Sequence, residues 1–215
     1  MDVSVATGVL GAPKPSGGGW PVGVRKQPGL EELDGLLGRG YNYMMIDSPS
    51  DEHFMREALR QAQKAYAAGE VPIGAVVVRA GRIIARAYNQ VDLLKDATAH
   101  AEMLALTHAE AAVGDWRLTD CHLYVTKEPC PMCAGALVHV RMQRVIFGCA
   151  DARAGAAGSV INLLQLPSLN HQCDITSGVL QNECSAILQD FFRKRRDQQN
   201  GAPAKSTIRK PENLS

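Results

Sequence analysis

Apolar residues recur at helical spacing near residue 60 and are followed by two β-rich runs. Six of them, at positions 54, 58, 59, 62, 65 and 66, share one face of a helix. Ser48-Pro49-Ser50-Asp51 predicts the start of this helix, because it offers a capping hydroxyl, a proline at the first helical position and an acid in the first turn. Gly69 predicts its end.

The pattern after residue 70 alternates between strands and helices. Residues 73–79 and 82–88 are β-rich and flank Ala80-Gly81, which predicts a hairpin. A helix is predicted from residue 98 or 99 to about residue 112, with Met103, Leu104 and Leu106 facing inward. Further segments predict strands at 123–126 and 144–148 and helices at 130–139 and about 177–196. This alternation predicts an α/β domain whose sheet is covered by helices.

The two ends of the chain lack such periodicity. Residues 1–47 carry half of the 20 glycines and are predicted to be a disordered extension. Met44 and Met45 precede the first helix signal, which raises the hypothesis that the true start lies there. The folded domain is expected to span residues 48–196, and residues 197–215 are expected to form a flexible polar tail.

Composition narrows the class of protein only slightly. The 215 residues are 46% hydrophobic, which suffices for one core, and no run approaches the roughly 18 apolar residues of a membrane span. We therefore expect a soluble protein. The net charge of +1 does not by itself indicate a nucleic-acid partner. Residues 191–196 have the sequence FFRKRR, in which the four cations could contact phosphates and the two aromatic rings could stack on bases. The alternative is a solvated helix end whose cations complement the helix dipole.

Two short motifs carry the chemistry. His100-Ala101-Glu102 is followed by Pro129-Cys130-Pro131-Met132-Cys133. One imidazole and two thiolates fill three positions of a tetrahedral zinc ion and leave the fourth for water. Glu102 stands two residues from His100, where it can move the proton of that water. We therefore predict a hydrolytic zinc site with Glu102 as the catalytic carboxylate.

A closed structural zinc site is the alternative, and it needs a fourth ligand. Cys121, His122 and Cys149 are the nearby candidates, but such a site would leave Glu102 without a role. The cysteines outside the motif show no disulfide framework spacing, so we expect reduced core residues of a cytoplasmic protein. They are Cys121, Cys149, Cys173 and Cys184.

The combination of His-x-Glu with Pro-Cys-x-x-Cys is the signature of zinc-dependent nucleobase deaminases. From Asp51 to about Arg196 the chain resembles one branch of the cytidine deaminase-like superfamily, the bacterial tRNA-specific adenosine deaminases. The matching stretches include Glu70-Val71-Pro72-Ile73-Gly74-Ala75-Val76, Thr98-Ala99-His100-Ala101-Glu102, Glu128-Pro129-Cys130, Met132-Cys133-Ala134-Gly135-Ala136, Arg144-Val145-Ile146-Phe147-Gly148 and Gly155-Ala156-Ala157-Gly158-Ser159.

The resemblance implies a three-layer α-β-α fold with a central mixed sheet. It also implies hydrolytic deamination of adenosine to inosine at the wobble position of an arginine tRNA with anticodon ACG. One zinc ion per subunit would be held by His100, Cys130 and Cys133, and the enzyme would be a cytoplasmic homodimer.

The same resemblance implies substrate contacts outside the metal site. Asn89 matches an asparagine that contacts the nucleoside, and Asp151 matches an aspartate near the anticodon-loop backbone. Phe191, Phe192 and Arg193 match contacts from the C-terminal helix. The alternative for Asn89 is a residue at a hairpin end that caps its own turn.

Three departures from the family pattern bear on RNA binding. Lys127 stands where Leu or Val is common, and its ammonium group could contact a flanking phosphate or point to solvent. The 90–97 loop lacks the arginine and proline that are frequent there. Cys149-Ala150 replaces a pair that often includes an arginine.

Two rival functions remain open. A free-base enzyme such as guanine deaminase also suits Glu128-Pro129-Cys130-Pro131-Met132-Cys133, although its small pocket does not require a basic aromatic helix. A non-catalytic zinc-stabilised RNA-binding subunit is the other rival, but Glu102 would then have no function.

Overall fold

The structure, a computed structural model, describes residues 50–201. The predicted N-terminal extension, the hypothetical start at Met44 or Met45 and residues 202–215 of the predicted tail lie outside the described residues. Within the described part, no helix is long and apolar enough to cross a membrane.

Residues 51–201 form five helices and five strands. The helices are α1 (Asp51–Ala67), α2 (Val91–Leu94), α3 (Ala101–Val113), α4 (Pro131–His139) and α5 (Gln181–Gly201). The strands are β1 (Gly74–Arg79), β2 (Arg82–Tyr88), β3 (Cys121–Lys127), β4 (Arg144–Cys149) and β5 (Asp174–Ser177).

The strands form one mixed sheet in the order β2-β1-β3-β4-β5. β1 pairs antiparallel with both β2 and β3, whereas β3, β4 and β5 run parallel. The parallel half places the carboxyl ends of β3 and β4 side by side, with Lys127 opposite Cys149. The loops that follow these two strands therefore lie together at one edge of the sheet.

Successive residues of the central strands point to opposite faces of the sheet, as the pleat requires. Val77 and Val125 belong to the core that α3 and α4 cover. Val76 and Tyr124 belong to the core beneath α1 and α5. The sheet thus lies between two layers of helices, which confirms the predicted three-layer α-β-α fold.

α1 packs closely on the sheet and begins where its cap allows. Its N-cap is Ser50, whose hydroxyl accepts a hydrogen bond from the His53 N–H at 3.3 Å. The helix therefore begins at Asp51 rather than at residue 49. Gly74 of β1 lies directly beneath α1, since a Cβ there would stand 2.1 Å from the carbonyl oxygen of Ala58.

An ion pair ties the start of α1 to the sheet. Both carboxylate oxygens of Asp51 accept from the Arg144 guanidinium of β4, at 3.0 and 2.7 Å. The Tyr124 hydroxyl donates to the same carboxylate at 2.8 Å. Burial opposes ionisation, but the hydrogen bonds from Arg144 and Tyr124 lower the pKa of Asp51.

The second predicted helix begins later than expected. α3 starts at Ala101 because the Asp96 side chain accepts from the Thr98 N–H at 2.8 Å and holds the preceding residues in a turn. Leu106 is buried as predicted, whereas Met103 and Leu104 are half-buried.

The region before the last helix also differs from the prediction. Residues 174–177 form the edge strand β5, so α5 starts at Gln181 instead of about residue 177. The same helix runs on to Gly201, five residues past the predicted boundary. The short helix α2 was not predicted at all.

Candidate active site

The starts of two helices bring the metal-ligand residues together. His100 is the N-cap of α3, Cys130 is the N-cap of α4, and Cys133 lies in the first turn of α4. The His100 Nδ1 atom lies 3.7 Å from the Cys130 Sγ and 3.5 Å from the Cys133 Sγ. One donor atom from each residue falls within 4.8 Å of the other two, so the three side chains can share one ion.

The donor set fits an open zinc site. Imidazole and thiolate are the ligands that zinc prefers in such sites. Among residues 50–201 the cluster contains no fourth ligand, because Cys121, His122 and Cys149 all lie outside it. The Cys149 thiol is instead directed to the carbonyl oxygen of Thr126 at 3.4 Å. The described residues therefore do not supply the fourth ligand of the closed alternative.

The pKa values of the two thiols depend on the contact between them and on the nearby imidazole. A hydrogen bond from Cys133 lowers the pKa of Cys130, and the nearby His100 adds to the effect. The same contact, together with burial, raises the pKa of Cys133. The hydrogen bond with Cys130 raises the pKa of His100. Cys130 is therefore the more readily ionised of the two thiols, and the thiolate is the form that binds a metal.

Glu102 lies in the first turn of α3 and is buried. Its side chain is only 4% exposed, and its Oε2 has no hydrogen-bond partner within the described residues. Burial raises the pKa of this carboxyl, while the neighbouring His100 partly offsets the effect. A buried carboxylate oxygen without a partner is costly to the fold, which points to a role in binding or chemistry.

A cleft of about 450 Å³ opens beside His100. Asn89, Glu70 and Arg195 contribute to its walls. The Asn89 side-chain N–H donates to Glu70 Oε2 at 3.0 Å, so this side chain does not cap its own turn. Arg195 of α5 reaches Asp92 of α2 at 3.6 Å, which brings the C-terminal helix to the side of the cleft.

A second cavity, of about 510 Å³, has a basic and aromatic lining. Lys127, Arg153 and Arg196 supply the positive charges, and Phe192 presents a ring that is 43% exposed. The Lys127 ammonium lies 2.5 Å from the Asp151 carboxylate, so it neither points to solvent nor stands free for a phosphate. This ion pair lowers the pKa of Asp151 although burial opposes it.

The C-terminal residues of the resemblance have different environments. Phe191 is 8% exposed, and its ring centroid lies 5.7 Å from that of Tyr66 in α1. Phe191 thus holds α5 against α1, whereas Phe192 faces outward. Arg193 is exposed and forms an ion pair with Asp190 on the same helix.

Sequence reasoning missed the role of Glu128, which immediately precedes the Pro-Cys motif. Its buried carboxylate accepts from the backbone N–H groups of Asp151, Ala157 and Ser159 at 2.8, 3.0 and 3.0 Å, and from the Ser159 hydroxyl. Although burial opposes it, these hydrogen bonds lower the pKa of Glu128. A Cβ on Gly155 would stand 2.2 Å from the carboxylate, so the loop closes tightly around it.

Glu128 therefore anchors residues 151–159 beside the metal-ligand cysteines. The available signal was an acidic residue held between a buried strand and Pro129. Glu70 offers a parallel case, since it lies buried between α1 and β1 and binds the loop that carries Asn89.

Comparisons with known proteins place this arrangement in a family. The MafB19-like deaminase family matches residues 49–196. The tRNA-specific adenosine deaminase of Bacillus subtilis (strain 168) is 50% identical over 152 residues, which cover 71% of this chain and 94% of that protein.

Solved structures give the same placement. One solved structure comes from a study of A-to-I editing by tRNA:A34 deaminases at the wobble position of transfer RNA. Its sequence is 43% identical to this chain, and the two structures superpose with a TM-score of 0.62. The match covers 63% of this chain and 99% of the chain in that structure. A guanine deaminase from Nitrosomonas europaea is 22% identical with a TM-score of 0.58, over 74% of this chain and 97% of that one, which shows the shared fold alone. The chain belongs to the tRNA-specific adenosine deaminases, within the MafB19-like deaminase family.

Proposed function

We propose that the protein hydrolyses the exocyclic amino group of adenosine in tRNA and leaves inosine. The substrate we propose is the wobble adenosine of an arginine tRNA with anticodon ACG. One observation carries the proposal: three zinc-type donors converge beside a buried carboxylate that has no partner among the described residues. The relatives named above support a tRNA adenosine as the substrate, and the choice of an arginine tRNA comes from the family resemblance.

His100, Cys130 and Cys133 would hold one zinc ion in each subunit. Zinc in such a site lowers the pKa of a water molecule to about 7 and so supplies a nucleophile at neutral pH. The protein's own task is to move protons. Glu102 takes the proton of the attacking water, delivers it to N1 of the adenine, and then carries a proton to the amino group that leaves as ammonia.

The substrate base would enter the cleft beside His100. Asn89 lines this cleft and is proposed to hydrogen-bond the nucleoside, in line with the family resemblance. A base can reach such a cleft only when it is turned out of the anticodon stack. The wobble base of an anticodon loop is unpaired, so this step is less costly there than in a duplex.

The remainder of the anticodon loop would lie along the basic cavity beside α5. Arg153 and Arg196 offer charges for phosphates, whereas Lys127 is paired with Asp151. The exposed ring of Phe192 offers a surface on which a base can stack. Asp151 lines this cavity, and Asp151 and Arg193 are proposed as contacts to the loop in line with the family resemblance. Phe191 contributes by packing α5 against Tyr66.

We also propose a homodimer in the cytoplasm. Residues 160–169 expose four large apolar side chains beside a cavity of about 480 Å³ that α4 helps to line. Such surfaces often mark subunit interfaces. The exposed side chains are Val160, Ile161, Leu166 and Leu169. The six cysteines of the described part are free, which suits a reducing compartment.

The deaminase assay uses zinc-loaded protein and an arginine anticodon stem-loop with adenosine at the wobble position. We expect inosine to form in the wild-type reaction. Glu102→Gln should keep its zinc and its affinity for the stem-loop but lose at least about a hundredfold in kcat, because the proton carrier is gone. Near-normal turnover by Glu102→Gln would contradict the mechanism.

Free guanine is the control substrate in the same assay. Conversion of guanine without conversion of the stem-loop would favour the rival free-base function. Binding of the stem-loop without any conversion would favour the non-catalytic rival.

A further inference from the structure

Glu70 is a buried carboxylate that lies outside the catalytic set. It follows the turn at Gly69 that ends α1, and only 2% of it is exposed. Its Oε2 accepts from the Asn89 side-chain N–H at 3.0 Å, and its Oε1 accepts from the Leu93 backbone N–H at 2.6 Å. Both oxygens are therefore used as acceptors, one for the residue that lines the cleft and one for α2.

The contact with Glu70 fixes which way the Asn89 amide faces. Both oxygens of Glu70 act as acceptors, so the Asn89 amide nitrogen faces Glu70 and the amide oxygen faces away from it. The Asn89 backbone cannot turn to compensate, because its N–H donates to the Ile73 carbonyl at 3.0 Å. The next residue is also held, since the Gln90 N–H donates to the Ala99 carbonyl at 3.0 Å.

The amide oxygen of Asn89 remains available in the cleft that His100 also lines. Within residues 50–201 this oxygen accepts no hydrogen bond, although the residue as a whole is only 4% exposed. An acceptor at the cleft that has no partner among the described residues matches a ligand group that donates a hydrogen bond. The side chain would present a donor instead if the amide turned over.

We propose that Glu70 is a positioning residue that holds Asn89 with its oxygen toward the cleft, so that the site selects a substrate with a hydrogen-bond donor there. This inference rests on the proposed function, because it assigns to Asn89 a contact with the nucleoside. In adenosine the possible donors are the exocyclic amino group and the ribose hydroxyls. A purely structural role is the competing explanation, in which Glu70 only braces α2 through Leu93.

Substitution by glutamine separates the two explanations. In Glu70→Gln the amide oxygen can still accept from Leu93, while the amide nitrogen faces Asn89. The Asn89 amide then turns over to avoid opposing donors and presents its N–H to the cleft. The hydrogen bond from the Leu93 N–H is retained, whereas Asn89 now presents a donor to the cleft in place of an acceptor.

A second substitution restores that polarity. In the double variant Glu70→Gln with Asn89→Asp, the glutamine N–H can donate to one aspartate oxygen while the other aspartate oxygen faces the cleft. Asn89→Asp alone instead places two carboxylates in contact, which disfavours the arrangement. Each single variant should therefore be impaired, and the double variant should be better than either.

The experiment measures kcat/KM for the wild type, the two single variants and the double variant, on the adenosine stem-loop and on free guanine. We expect each single variant to lose about tenfold or more in kcat/KM, which corresponds to the loss of one hydrogen bond to the substrate. We expect the double variant to return toward the wild-type value. Zinc content should change little in the three variants, and the thermal midpoint should change little in Glu70→Gln and in the double variant. Asn89→Asp alone should melt at a lower temperature, because it places two buried carboxylates in contact.

The control is Glu52→Gln, the same change at an exposed residue of α1 that pairs with Arg56. It should leave kcat/KM and the thermal midpoint at their wild-type values. Unchanged kcat/KM in Glu70→Gln would overturn the inference. So would a double variant whose loss in transition-state stabilisation equals the sum of the losses of the two single variants.

The two substrates separate this inference from the proposed function. If the wild type converts only guanine and the double variant restores that activity, the proposed substrate is wrong and the orienting role of Glu70 stands. If the wild type converts the stem-loop and the losses add, only the orienting role is overturned. A wild-type protein that converts neither substrate overturns both.

Discussion

Glu128→Gln tests how the protein holds the loop of residues 151–159 beside its metal ligands. Oε1 of Glu128 accepts from the N–H groups of Ala157 and Ser159, and Oε2 accepts from the Asp151 N–H and the Ser159 hydroxyl. A glutamine has one amide oxygen in place of two acceptors. Its NH₂ group can donate to the Ser159 hydroxyl, but one backbone N–H loses its acceptor.

The expected cost follows from these contacts. A buried N–H without an acceptor costs about 1–3 kcal/mol, and loss of the charge on the retained hydrogen bonds costs roughly 1 kcal/mol more. The sum is about 2–4 kcal/mol. For a domain of this size, each kcal/mol lowers the thermal midpoint by about 2–4 °C, so the variant should melt roughly 5–15 °C below the wild type.

Thermal unfolding of the zinc-loaded proteins, followed by circular dichroism, measures this difference. Ser159→Ala is the matched control, because it removes the hydroxyl contact and keeps the backbone N–H donor to Glu128. Its midpoint should fall by only a few degrees. A Glu128→Gln protein that melts with the wild type, or no lower than Ser159→Ala, would refute the assignment of Glu128 as the anchor of the loop.

Three further predictions follow from the fold and the site. Gly74→Ala should cost about 3 kcal/mol or more in urea unfolding, since its Cβ would stand 2.1 Å from the Ala58 carbonyl oxygen; a wild-type unfolding midpoint would contradict this close packing. Arg144 lowers the pKa of Asp51 in the folded protein. The stability that the ionised Asp51 confers is therefore present above its unfolded pKa of about 3.9 and is lost as the pH falls through its folded pKa. Acid unfolding of wild type and Asp51→Asn checks this, and parallel curves below about pH 4 would refute it. His100→Ala should lose zinc by metal analysis and melt at a lower temperature, and full zinc occupancy would contradict its role as a ligand.

The convergence of the three zinc-type donors could be predicted because its signals are short in sequence. His100, Cys130 and Cys133 all stand at helix starts, and the zinc-type residues and the helix boundaries coincide within a few positions. The predictions for β1 and β2 were also confirmed to within one residue. The two-residue turn at Ala80-Gly81 fixes where β1 ends and where β2 begins.

Environments set by distant residues could not be predicted. Phe191 and Phe192 are neighbours in the sequence, and only the position of Tyr66 on another helix decides which ring is buried. Lys127 pairs with Asp151, which lies 24 residues further along the chain, and no local pattern announces that pairing. β5 has four residues, two of them exposed, and shows too little apolar alternation to be recognised as a strand.

The central claim is that a water molecule replaces the amino group of a tRNA adenosine with the help of Glu102. The most direct measurement is mass spectrometry of the nucleosides from an arginine anticodon stem-loop incubated with the zinc-loaded protein in heavy-oxygen water. The account predicts inosine that carries one heavy oxygen atom at the wobble position with the wild type, and unchanged adenosine with Glu102→Gln. Wobble adenosine left intact by the wild-type protein, or inosine formed equally by both proteins, would contradict it.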